Sequence, residues 1–127
     1  YPDIPEVLHI LQEHGLMLAV ASNKYQMATE KLIAHYFPTI RFVKVLGQRE
    51  SIPVKPDPTI VNDILKIAHV SKEEVLYVGD SGVDMQTAIN AGVDAVGVTW
   101  GFRPRTELEP LKPLGLIDKA KELLTYI

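Results

Sequence analysis

The chain contains no cysteine. Disulfides and thiolate metal sites are therefore excluded, and with them the small secreted scaffolds that depend on such staples. Long apolar runs are missing too: the longest, such as residues 16–21, span about six residues, where a membrane helix needs roughly twenty. No charged-then-apolar leader pattern opens the sequence. There is no excess of positive charge, with thirteen Lys and Arg against sixteen Asp and Glu, a net charge of -3 and a pI near 5.8. The basic residues are scattered, whereas a nucleic-acid partner calls for a clustered basic face. We therefore expect neither a nucleic-acid nor a membrane partner, and a cytoplasmic location. Two catalytic signatures are absent as well: the G-x-G-x-x-G turn of dinucleotide-binding folds and the G-x-S-x-G nucleophile elbow. The sequence starts at Tyr1 rather than Met, and we expect it to be part of a longer chain.

What is present is the make-up of one globular domain: 127 residues, 46% hydrophobic and 23% charged. Short apolar runs alternate with helical patterns. In residues 3–14, Ile4, Val7, Leu8 and Leu11 recur at helical spacing, and Gly15 stands where a left-handed cap belongs. Residues 16–21 read as a strand buried on both faces. A helix is expected over 25–36, a strand over 42–46, and a helix from Asp57-Pro58 to about His69, with Asp as N-cap and Pro first. Ser71 and Glu74 have capping-box spacing. A strand over 75–78, a helix over 83–91 closed by Gly92, a strand over 95–99 and a last helix over 118–126 complete the reading. Alternation of this kind predicts a Rossmann-like α/β/α fold with a mainly parallel sheet. Ligands in such folds sit beyond the carboxyl ends of the strands.

Those ends carry the candidate site. Ser22-Asn23 closes the first strand, Gly79-Asp80-Ser81 closes the third, Lys55 lies before a helix, and Asp84 follows Asp80 by four residues. Two carboxylates without a thiolate suit a hard cation such as Mg²⁺. A hydroxyl beside a helix N-terminus suits phosphate, and Lys55 adds a compact positive charge. The four histidines, His9, His14, His35 and His69, share no spacing that would gather a metal. Trp100 and Phe102 read as core cover or site entrance, and Arg103 and Arg105 as solvated loop residues within reach of a substrate anion.

Leu18-Ala19-Val20-Ala21-Ser22-Asn23 resembles the second motif of haloacid dehalogenase hydrolases. Lys55-Pro56-Asp57-Pro58 is similar to the third motif, and Val78-Gly79-Asp80-Ser81 through Asp84 to Ala91-Gly92 to the fourth, as found in the phosphoglycolate phosphatase and β-phosphoglucomutase branch. The separations, 33 residues from Ser22 to Lys55 and 25 from Lys55 to Asp80, agree with it. The resemblance implies a hydrolase of phosphate monoesters acting through an aspartyl-phosphate. By it, Asp80 binds Mg²⁺, and Asp84 supports the ion directly or through water and Lys55. Ser22 and the backbone N–H of Asn23 hold the phosphoryl oxygens, and Lys55 neutralises charge. The substrate would be a small phosphorylated metabolite.

The sequence departs from the family at its first motif, an Asp-x-Asp-Gly-Thr pattern supplying the nucleophile and general acid, which is absent; so is the cap domain. The chain is therefore expected to be the C-terminal portion of such a core, inactive alone, with its partner the N-terminal part of the same protein. The missing strand is a central one in that family. Strands 16–21 and 75–78 should each lose a neighbour, leaving the isolated chain unstable or aggregation-prone. Two other readings share these residues: a non-catalytic module that keeps the phosphate and metal site, and a sugar-phosphate mutase. Gly79-Asp80-Ser81-Gly82 also matches the tetrapeptide around the nucleophile of trypsin-like proteases, but here it joins a strand to a helix.

Overall fold

The structure, a computed structural model, describes residues 3–101 and 104–127. Helix α1 (Ile4–Glu13) buries Val7 and Leu11, the centre of the stripe the sequence predicts. It ends at His14 and Gly15, the latter at φ +81°. Strand β1 (Leu18–Tyr25) begins two residues later than the apolar run and continues four beyond it. Leu16 and Met17 stay exposed. The extension has a backbone cause: β1 runs parallel to β2 (Phe42–Gln48), with Ala21 opposite Leu46 and, after an irregularity, Tyr25 opposite Gln48. Polar side chains do not end a strand whose backbone still has a partner.

Helix α2 (Gln26–Tyr36) joins these strands and fastens itself to the second. The Gln26 side chain donates to the Val45 carbonyl at 2.8 Å and accepts from the Gly47 N–H at 2.6 Å. Helix α3 (Thr59–Ala68) starts one residue later than expected, so Pro58 and not Asp57 occupies the N-cap position, and Asp57 instead bonds the first helical residue from one position further out. The Asp57 carboxylate accepts from the Thr59 N–H at 2.9 Å and from its hydroxyl at 2.6 Å, and these bonds hold its pKa below the usual carboxylate value. The Ser71–Glu74 capping box forms around a single 3-10 turn, Lys72–Glu74. Strand β3 (Leu76–Gly79), helix α4 (Gly82–Ala91), closed by Gly92 at φ +75°, and strand β4 (Asp94–Val98) follow the predicted order.

The C-terminal stretch differs from expectation. A short helix α5 (Arg105–Leu108) and a 3-10 turn (Glu109–Leu111) lead to strand β5 (Gly115–Ile117), which pairs parallel to β4. Three residues, one of them glycine, leave no periodicity to read. The closing segment is a 3-10 helix (Ala120–Tyr126) and not an α-helix.

The strands form two separate parallel sheets, β1-β2 and β3-β4-β5, rather than one. Side chains alternate between the faces. Tyr77 and Ala95 point toward α3 and α4, whereas Leu76, Val96 and Val98 join Ile117 and Leu123 on the other side. The core beneath α3 and α4 spans both sheets, with Leu46 and Ala21 meeting Tyr77 and Ala95, and beside α1 Leu18 of β1 packs with Ala120, Trp100 and Leu123. Trp100 thus covers core, one of its two expected roles. Phe102 lies outside the described residues.

Among the described residues β1 pairs only with β2, and β3 only with β4. Each presents an unpaired edge, and Val78 on β3 is 43% exposed. Such edges recruit other chains. The polypeptide Tyr1–Ile127 on its own is therefore expected to self-associate at micromolar concentration, as read by light scattering; monomeric behaviour with cooperative unfolding would contradict this.

Candidate functional site

Of the five predicted residues, Lys55 meets Asn23 and Asp84 directly, and Asp84 meets Asp80 through its backbone N–H. The loop between β2 and α3 brings Lys55 across to α4, where its Nζ donates to Asp84 Oδ1 at 2.7 Å, both side chains being only 11% exposed. The same ammonium donates to the Ala21 carbonyl at 3.3 Å, one residue before Ser22. Asp84 turns its other oxygen back to accept the Asp80 N–H at 3.0 Å. A fourth group, which sequence reasoning missed, is Tyr77, whose hydroxyl donates to Asp84 Oδ1 at 3.2 Å. Asp84 thus collects three donors from β3, its own turn and a distant loop.

Local sequence explains why this is possible. Ser81 caps α4, its Oγ accepting the Asp84 N–H at 3.2 Å. Asp84 therefore sits in the first turn, where free N–H groups and the helix dipole favour a carboxylate. Gly79 leaves the room: a Cβ there would collide with the Asp84 carboxylate. Gly101, after β4, does the same for Asp80, since a Cβ at that position would collide with Asp80 Oδ2. The Gly82 N–H at the start of α4 donates to Glu107 Oε2 at 2.6 Å. Glu107 thereby fastens the segment after β4 to the helix that carries Asp84. No signal in the sequence marks Glu107, because its partner is a backbone group twenty-five residues away.

The two aspartates titrate in opposite directions. For Asp80, burial and the neighbouring Asp84 charge both raise the pKa above the usual carboxylate value. For Asp84, burial pushes upward, but the Lys55 ammonium and the Asp80 N–H outweigh it and hold the carboxyl low. Burial and Asp84 push the Tyr77 hydroxyl well up, so it stays a donor. Ser22 Oγ accepts from the Lys24 N–H at 3.0 Å, which leaves the hydroxyl hydrogen for an anion.

The other sequence candidates separate from this cluster. Arg105 is engaged at 3.0 Å by Asp118, which also accepts from the Thr99 hydroxyl at 2.5 Å. It ties β4 to the segment after β5. Arg103 lies outside the described residues. His9 bonds the Thr39 hydroxyl, and His69 ends α3 in a left-handed conformation. Among the described residues no group of three or more His, Asp and Glu side chains gathers.

A family model for haloacid dehalogenase-like hydrolases matches residues 1–98. The chain belongs to that family. The phosphoglycolate phosphatase of Vibrio parahaemolyticus is 30% identical over 127 residues, covering 100% of this chain and 56% of the relative. That of Rhodobacter capsulatus is 38% identical over 112 residues, covering 87% and 49%. A crystal structure from Lactobacillus delbrueckii subsp. bulgaricus, of a protein provisionally called a phosphoglycolate phosphatase, superposes with a TM-score of 0.93 at 34% identity, covering 100% of this chain and 53% of that one. This haloacid dehalogenase-like chain spans about half the length of the curated relatives it matches.

Breaking a buried pair by removing one partner leaves the other charge uncompensated, at a cost of about 3–5 kcal/mol. In the complete protein, Asp84→Ala should lower stability by that amount at neutral pH. Because the folded-state pKa of Asp84 is depressed, its contribution is present above the unfolded value of about 3.9 and is lost as pH falls through the folded one. The difference between wild type and variant should therefore shrink below about pH 4, as read by thermal unfolding across pH; a constant difference would refute the pairing.

Proposed function

We propose that the complete protein is a Mg²⁺-dependent phosphate monoester hydrolase of the phosphoglycolate phosphatase type, acting through an aspartyl-phosphate. The observation that carries this is the Lys55 ammonium, fixed on Asp84 just beyond the carboxyl end of β3 and on the carbonyl of Ala21, next to Ser22 in β1. A cation held there lies beside the Asp80 and Asp84 carboxylates, with Ser22 next in sequence to the carbonyl it bonds, a set of groups suited to a phosphoryl group. The relatives called phosphoglycolate phosphatases support the same reading.

The residues present fit a magnesium ion in part. Asp80 offers a carboxylate whose proton affinity is raised by burial and by Asp84, a repulsion that a cation relieves. Gly101 leaves space against it. Asp80 would hold the ion, and Asp84, occupied by Lys55, Tyr77 and the Asp80 N–H, would act on it from behind. When bound, magnesium supplies positive charge to the phosphoryl oxygens. The remaining ligands would be water, substrate oxygens and carboxylates outside this segment.

The chain's own residues do the rest. Ser22 Oγ–H donates to one phosphoryl oxygen, and the Asn23 N–H faces another. Lys55 offsets the charge spread over the equatorial oxygens, which is where phosphoryl-transfer catalysis acts. Its distance from the phosphorus is limited by its grip on Asp84. The attacking carboxylate comes from the N-terminal part of the protein. It forms a P–O bond as the alcohol leaves, and water then cleaves the acyl phosphate to release orthophosphate.

Two clefts, of about 80 and 540 Å³, lie against α4 and β5 and between α2 and β2, and neither is lined by Ser22, Lys55, Asp80 or Asp84. Substrate choice, and with it hydrolase against mutase, is proposed to rest with a cap carried elsewhere in the protein.

The test is phosphate release from an aryl phosphate and from phosphoglycolate by the complete protein, with and without Mg²⁺, beside Asp80→Asn. Release should need the metal and fall at least a hundredfold in the variant. Mg²⁺ should also raise the unfolding temperature of the wild type and not of Asp80→Asn. A folded wild type that binds Mg²⁺ and inorganic phosphate without turnover would favour the binding-module reading.

A further inference from the structure

Lys55 is a long side chain with four rotatable bonds, so the precision of its ammonium depends on how firmly its own backbone is held. That backbone lies in a loop. From outside the loop, the Lys55-Pro56 backbone is gripped by two asparagines from different elements, Asn23 at Lys55 and Asn90 at Pro56. Asn23, in β1, accepts the Lys55 N–H through Oδ1 at 2.9 Å and donates through Nδ2 to the Lys55 carbonyl at 3.3 Å. One amide thus takes both polar groups of one residue, which fixes orientation as well as position. Asn90, on α4, donates through Nδ2 to the Pro56 carbonyl at 2.9 Å. Its own oxygen accepts from Gln86 Nε2 at 2.9 Å, so the amide is held one way round.

The two asparagines stand on the elements that carry the rest of the site. Asn23 follows Ser22 on β1, and Asn90 lies six positions after Asp84 on α4. Each amide references the loop to one half of the phosphate site. Their side chains are exposed or nearly so and belong to neither apolar core, so packing gives no account of them. We propose that Asn23 and Asn90 form an amide clamp and are positioning residues, acting on phosphoryl transfer through the placement of Lys55. This rests on the phosphatase reading for its catalytic consequence but not for the clamp itself. For Asn23 it adds a side-chain role to the backbone N–H already assigned toward phosphate.

A loop displaced by about 1 Å costs up to a hundredfold in rate when it carries a reacting or stabilising group. In the complete protein, Asn23→Ala and Asn90→Ala should each lower kcat/KM for an aryl phosphate by roughly tenfold, chiefly in kcat, with the unfolding temperature moved by only a few degrees. If the asparagines act through Lys55, the losses do not multiply: adding either change to Lys55→Ala should cost less than about twofold more. Amide hydrogen exchange at Lys55, followed by NMR, provides a readout that needs no turnover, and Asn23→Ala should speed it by at least tenfold while residues of β4 are unaffected. A loss in the Lys55→Ala background as large as in wild type would overturn the proposal, as would unchanged Lys55 exchange in Asn23→Ala. Absence of phosphatase activity in the wild type would sink the functional reading alone, and the exchange rates would still decide the clamp.

Discussion

The arrangement depends on one ion pair. Lys55 and Asp84 are both nearly buried, and among the described residues each is the other's ion-pair partner. Burying them costs each its hydration, and only a close, well-bonded pair offsets that. The geometry meets the condition: Asp84 receives Lys55, Tyr77 and the Asp80 N–H, and Lys55 divides its donors between Asp84 and Ala21. Gly79, Ser81 and the first turn of α4 are arranged around this carboxylate, and the loop from β2 to α3 is arranged around the ammonium.

The same pair has a second consequence, because it joins halves that share no backbone ladder. Lys55 reaches Ala21 in the two-stranded sheet and Asp84 beside the three-stranded one. Asn23 and Asn90 bind the Lys55-Pro56 backbone from the same two sides. The apolar core beneath α3 and α4 also crosses the divide, but it holds the sheets together without fixing individual atoms. Polar contacts, being directional, do that. Placement of charge and joining of the halves are therefore served by one set of bonds.

Much of this was legible in the residues. The stripe of Ile4, Val7, Leu8 and Leu11, the capping box at Ser71 and Glu74, and the glycines at 15 and 92 each encode a local rule that the structure follows. The meeting of Lys55, Asp80 and Asp84 followed from placing polar residues at strand ends. What was not legible is either too short or too distant. Strand β5 has three residues and is a strand only because β4 lies beside it. The extension of β1 through Asn23 is imposed by β2. Glu107 and Asn90 act on backbone groups remote in sequence, and a residue that reads the backbone leaves no partner side chain to recognise.

Tyr77 shows how a residue can be visible in one role and hidden in another. In sequence it is one apolar position among Val75, Leu76 and Val78, and its ring indeed packs against the core under α3 and α4. Only the fold shows that its hydroxyl emerges at Asp84. A phenol there cannot ionise within the ordinary range, since burial and the adjacent carboxylate both oppose it. It therefore remains a donor at neutral pH, adding a neutral hydrogen bond to an oxygen already held by Lys55. The carboxylate is stabilised without a second positive charge, so that the positive charge of the pair stays on the Lys55 ammonium.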